Sequence, residues 1–160
     1  VWTVPISGCQ RVFYVGQTVA GFANRHHDHF RTYFTGAYSI YEPKAFAEGR
    51  LDKLYHGYAY RAPAWRHAIG FYHEVQRLID PLMEHLSVME LFIAELPKDR
   101  RLQRRVETAM MQCVYATDGP DGSLLEPGLK MEPRFEEEIP IQVAQSPNGL
   151  LRGIPERFEA

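Results

Sequence analysis

The sequence predicts a mixed α+β fold, a small three-stranded sheet, antiparallel at least in part, flanked by helices, with a helical insertion before the third strand. Three observations predict it. Val1–Ile6 and Arg11–Thr18 are short runs rich in β-branched and aromatic residues, joined by Ser7-Gly8-Cys9-Gln10, a hairpin connection of common length. A further apolar run, Val88–Leu96, is bounded by Ser87 and Pro97. Beyond it Leu102, Val106, Ala109, Met110 and Cys113 recur at the spacing that puts one helix face inward.

The elements follow in order. After the first two strands a helix is expected from Gly21 to about Phe34, with Phe22, His26, His29, Phe30 and Tyr33 at helical spacing and Gly36 near its end. Lys44–Tyr55 reads as a helix entered through Pro43, which suits a first helical turn. Tyr58–Arg61 reads as a short strand or an aromatic loop. Trp65–Val75 is open between strand and helix, and Gln76–Leu86 is helix-like despite Pro81. The aromatic and basic residues of this stretch (Tyr55, Tyr58, Tyr60, Arg61, Trp65, Arg66) suit either stacking on nucleic acid or a folded insertion with its own small core. The helix from Lys98 to about Thr117 is the clearest, ended by Asp118-Gly119-Pro120-Asp121-Gly122. A Pro- and Gly-punctuated tail follows, with one short strand expected at Ile139–Val143.

Composition bounds the organisation. The chain of 160 residues, 45% hydrophobic and 24% charged, is expected to form a single domain, 1–160. Its core is expected at about 1–36 and 87–117, its insertion at about 38–86, and an irregular tail at 118–160. No run is apolar and long enough to span a membrane, and Val1–Ile6 carries no basic leader. Two cysteines, Cys9 and Cys113, form no spaced framework, so a reducing cytoplasmic setting is expected, with one disulfide left open. A net charge of −2 argues against a general DNA-coating protein. Charge is nevertheless local: Lys98, Arg100, Arg101, Arg104 and Arg105 cluster, and Glu136-Glu137-Glu138 is an acidic run. The basic cluster suits a nucleic-acid groove and equally a solvated helix face.

The residues able to do chemistry lie at Tyr14-Val15-Gly16, Arg25, His29 and Glu107. Arg25 and His29 are four apart and share a helix face. A fixed guanidinium beside a titratable ring suits binding and attack of a phosphodiester. Glu107 lies mid-helix beside the inward stripe. A lone acid there can hold a hard divalent cation completed by water and phosphate oxygens, or simply pair with Arg104 or Arg100. His26-His27-Asp28-His29 invites a zinc reading, but only His26 and His29 share a face. His26 suits a phosphate contact or a surface ring. His56, His67, His73 and His85 read as ordinary.

Taken in order, these residues resemble the GIY-YIG nucleases, a fold of homing, restriction and repair endonucleases. Tyr14-Val15-Gly16 resembles the second signature triplet, and Val1-Trp2-Thr3 falls where the first should be, with ten residues between. Arg25 and His29 match the helix arginine and the residue one turn on, Glu107 the metal-binding glutamate, and Asn148 an asparagine that often closes the module. The resemblance covers Val1–Phe34 and Val88–Thr117. It departs at Thr3, which stands where a tyrosine usually orients or activates the attacking water; Tyr14, His29 or a neighbouring histidine would have to take that role.

The resemblance implies metal-dependent hydrolysis of DNA phosphodiesters, with Glu107 holding one Mg²⁺ or Mn²⁺ and Tyr14, Arg25, His29 and Thr3 in the catalytic set. His26, Arg101, Arg104 and Asn148 are the expected nucleic-acid contacts. A restriction-type cutter fits best, and a palindromic target would call for a homodimer or two sequential nicks. The competing expectation is a catalytically silent nucleic-acid-binding or protein-interaction module on the same scaffold. A small hydrolase using its histidines ranks last, since no nucleophile elbow occurs.

Overall fold

A computed structural model describes residues 1–60, 64–125, 131–146 and 151–160. These form a mixed α+β chain with four helices and three small sheets among the described residues. The chain divides into two units, Val1–Val19 with Glu90–Ala160, and Ala20–Met89. The first helix therefore groups with segment 38–86, whereas the expected core joined residues 1–36 to 87–117.

The first unit grows from a hairpin. Strands β1 (Trp2–Ile6) and β2 (Cys9–Tyr14) pair antiparallel through the two-residue turn Ser7-Gly8, tighter than the four-residue connection expected. Both turn residues have positive φ, 52° and 78°, the conformation whose twist matches the flanking strands. A register shift between Trp2 and Thr3 leaves Trp2 opposite Tyr14 and Thr3 opposite Val12.

Two later segments extend this sheet. Its order is β5-β1-β2-β7, from strands β5 (Glu90–Leu91) and β7 (Leu151–Arg152) on either side of the hairpin. The third strand expected over Val88–Leu96 is thus confined to Glu90–Leu91, because β1 offers partners only at Trp2 and Thr3. Hydrogen bonds between Val1 and Phe92, 2.8 Å in each direction, prolong it. The sheet has four strands rather than three because β7 joins β2 in parallel.

Helix α4 (Arg100–Gly122) begins at Asp99, whose carboxylate caps the amides of Arg101 and Leu102. Gly119 (φ 70°, ψ 166°) breaks its path close to the expected end. The expected inward stripe forms: Val106 and Ala109 are buried with Met111 and Val114 against Val12 and Val15, and Leu102, Met110 and Cys113 flank them. The tail is more ordered than expected. Strands β6 (Gln142–Ala144) and β8 (Arg157–Glu159) pair antiparallel, and Leu151, Ile154 and Phe158 complete the core. Alternating inward residues separated by Gly and Pro, too short to show a period, build these strands.

A buried cation and a buried carboxylate tie the tail to the unit. Arg105 donates to the carbonyls of Ile139 (2.8 Å) and Ala160 (2.6 Å). Asp118 lies between Arg11 and Arg152, each at 3.4 Å. Both cysteines are free thiols.

The second unit begins with α1 (Phe22–Phe34), as the sequence predicts. It ends in a paired-hydrogen-bond glycine cap: Ala37 N–H reaches Thr32 O, Gly36 N–H reaches Tyr33 O, and Gly36 has φ 75°. Helix α2 is confined to Pro43–Ala47, so the expected helix over Lys44–Tyr55 is corrected. The reason is the same device. Arg50 N–H bonds Ala45 O and Gly49 N–H bonds Phe46 O, with Gly49 at φ 87°, which turns the chain out of the helix. The released chain forms β4 (Lys53–Tyr55), antiparallel to β3 (Ile40–Tyr41). Tyr58–Tyr60 is a 3-10 turn rather than a strand.

Helix α3 (Ala64–Ser87) resolves the open segment as helix and runs through Pro81. Phe71, Leu78, Leu82 and His85 recur on one face and are buried against Tyr33, Ile40, Tyr41 and Phe46. The core of this segment is shared with α1 through Tyr33. Gly36→Ala should cost about 2–5 kcal/mol, because a Cβ there meets the Phe71 ring at 2.2 Å and the backbone is left-handed. Gly70→Ala, with open space around it on α3, should instead gain up to about 1 kcal/mol. Denaturant titration of both variants checks the pair; equal midpoints would refute the packing described.

Candidate functional site

In the first unit, the hairpin and α4 position Tyr14, Thr3 and Glu107. Tyr14 ends β2, and its ring folds back over Gly16. A Cβ at Gly16 would lie 2.5 Å from Tyr14 Cε1 and 2.7 Å from its hydroxyl. The glycine of Tyr14-Val15-Gly16 therefore serves the tyrosine, leaving room for a ring that any side chain would displace. Glu107 lies half-buried on α4. Val1 packs on the buried cluster that holds Val15 and Val106, the chain neighbours of Tyr14 and Glu107. Burial holds the Val1 amino group down to about 6, and the Glu107 charge opposes this. Trp2, the next residue, pairs with Tyr14.

Gly16→Ala should leave stability within about 1 kcal/mol of the parent, since the obstructing group is a rotatable ring, while moving the Tyr14 hydroxyl. Tyrosine absorbance on alkaline titration reads the altered environment. An unchanged titration would show that the ring does not depend on this glycine.

Thr3 has another part. It is fully buried, its hydroxyl donates to Gln10 Oε1 at 2.7 Å and approaches Glu90 O at 3.4 Å, and Gln10 Nε2 reaches Glu90 Oε2 at 2.7 Å. This network ties three strands together and keeps the threonine hydroxyl from a substrate. Neither Gln10 nor Glu90 stood out in the sequence.

In the second unit, α1 carries Arg25, His26 and His29. His26 packs between Phe22 (5.3 Å) and Phe30 (4.6 Å), ring to ring, and His29 packs on Tyr38 at 5.7 Å. His29 is 5% exposed. Burial, and then the neighbouring positive charges of Arg25 and His26, hold its pKa down to about 4. It is therefore neutral at ordinary pH but a weaker base than an unperturbed histidine. Asp28 pairs with Arg31 at 3.4 Å. Neither the run 26–29 nor any other set of three or more His, Cys, Asp or Glu can hold a metal among the described residues.

On α4 the basic cluster is engaged by the chain itself. Arg101 binds both carboxylate oxygens of Glu138 (2.8 and 2.7 Å) and the carbonyls of Glu132 and Pro133, with the Phe135 ring 4.1 Å beneath it. Arg104 binds both oxygens of Glu132 at 2.6 and 2.8 Å. The hydrogen bonds from Arg101 hold the Glu138 carboxyl down to about 2. These guanidinia face the tail's own carboxylates rather than open solvent. Opposite local charges at 98–105 and 132–138 were the available signal. Asn148 lies outside the described residues.

No family model, curated protein or solved structure matches this chain. Among the described residues no helix is long and apolar enough to cross a membrane.

Proposed function

We propose that this chain is a metal-dependent endonuclease acting on DNA phosphodiesters, as its GIY-YIG-like signature implies. The observation that carries the reading is a tyrosine folded over Gly16, with its neighbour Val15 in the same buried cluster as Val106, the neighbour of Glu107. The donor set suits a hard cation: one carboxylate, with water and phosphate oxygens completing the shell, is how Mg²⁺ or Mn²⁺ binds, whereas structural zinc asks for four protein ligands. When bound, such a cation supplies Lewis acidity at the phosphoryl oxygens.

The chain's own residues do the rest. Glu107 would hold the cation. The Tyr14 hydroxyl, able both to donate and to accept, orients the attacking water. The resemblance gives Arg25 the part of holding charge that develops on the phosphoryl oxygens. His29, neutral in the free protein, can accept a proton, and a phosphate set beside it would raise its basicity. Thr3 is assigned to the sheet rather than to the reaction. Both thiols being free accords with a cytoplasmic setting. A palindromic target would call for a homodimer.

Supercoiled plasmid incubated with the protein and Mg²⁺ or Mn²⁺ tests the reading. Nicked or linear product with metal, and none with EDTA, is expected. Intact plasmid across metals and sequences would favour the second reading, a silent nucleic-acid-binding module. Thr3, buried and engaged where the family places a tyrosine, is the observation on that side.

A further inference from the structure

We infer that segment 132–138 is an internal anion that occupies a duplex-DNA-binding face of α4, so that DNA must displace Glu132 and Glu138 to reach Arg101 and Arg104. The inference rests on the nucleic-acid reading of the chain and deepens it.

The contacts have the form of phosphate recognition. Both arginines present the planar fork that matches carboxylate and phosphate alike, and both engage a carboxylate through two oxygens. The segment holding those carboxylates has no helix or strand of its own. Its backbone is tied to α4 by Glu132 N–H to Thr108 Oγ1 at 2.8 Å and by Arg101 to two carbonyls. The ion pairs are part-exposed, 20–31% by side chain, so salt and competing polyanions reach them. Arg105 differs: it lies 3.8 Å from Glu138, but its hydrogen bonds go to the Ile139 and Ala160 carbonyls, so it stays with the fold when the segment lifts. DNA, with a charge about every 1.7 Å, outnumbers two carboxylates.

The test is binding of a fluorescent 20-base-pair duplex in EDTA, which separates binding from cleavage. Glu132→Gln/Glu138→Gln should bind at least about tenfold tighter than the parent, with a salt slope steeper by about two. Glu136→Gln/Glu137→Gln makes the same change in net charge within the same segment but does not touch the two arginine forks. It should gain less than about threefold. Adding Arg101→Ala/Arg104→Ala to the first variant should erase the gain. In the parent, amide exchange over 132–138 should speed up when duplex is added. Equal gains in both glutamine pairs, or slower exchange on DNA, would overturn the inference. A gain confined to Glu132 and Glu138 without plasmid cleavage by any form would retain the inference and remove the nuclease reading. Cleavage by the parent with no such gain would do the reverse.

Discussion

Glu107→Gln is expected to lower divalent-dependent plasmid cleavage at least about a thousandfold while leaving the melting temperature and duplex binding near the parent's. The size follows from the part assigned. A cation's Lewis acidity is worth several kcal/mol, and each 1.36 kcal/mol is about tenfold in rate. Glutamine keeps the length of the side chain and one carbonyl oxygen, so packing on α4 survives, but the negative charge that holds a hard cation is gone. The effect should be far smaller for Glu90→Gln, a carboxylate on the same unit engaged with Gln10. Cleavage by Glu107→Gln at the parental rate would remove the metal anchor and, with it, the basis of the mechanism.

Acidification should destabilise the second unit by several kcal/mol between about pH 6.5 and pH 4. His85 is fully buried, with ring contacts to Phe46 (4.5 Å), Tyr41 (5.5 Å) and Tyr33 (5.6 Å), and burial holds its pKa down to about 4. His29 is held at about 4 as well, by burial and the nearby Arg25 and His26 charges. An unfolded chain protonates these rings near 6.5, the folded chain only near 4. Across that window the unfolded state binds more protons, so stability falls as pH falls, then levels below the folded values. Each ring contributes up to about 3 kcal/mol, and two together rival a large part of a domain's usual 5–15 kcal/mol. Glu138, held near 2, acts in a lower window: its contribution is lost only as pH falls below the ordinary carboxylate range. Denaturant midpoints measured across this range check the slope, and His85→Leu should remove about half of it. Midpoints unchanged from pH 7 to about pH 4.5 would refute the burial of both rings.

How much was legible depends on how local the cause is. The hairpin, α1 and the stripe of α4 were readable because residue type and spacing decide them within a few turns of chain. The reading of Lys44–Tyr55 as one long helix failed because Gly49 caps α2 through hydrogen bonds whose acceptors matter only once the turn has formed. Trp65–Val75 looked undecided because its apolar residues mean little until Tyr33, Ile40 and Phe46 supply the surface they cover. The partners of Thr3, Arg101 and Arg104 could not be assigned for one reason: Gln10, Glu90, Glu132 and Glu138 are distant in the chain or on other elements, and opposite charge at 98–105 and 132–138 marks a complement without pairing its members.

By itself, then, the sequence determined much of the alternation of strands and helices, the faces they bury, and which residue types are present for chemistry. Only the tertiary structure decided which of those groups remain available. A guanidinium or hydroxyl binds whatever partner folding brings within hydrogen-bond reach, and burial sets whether an imidazole is charged. Neither quantity is a property of the residue alone.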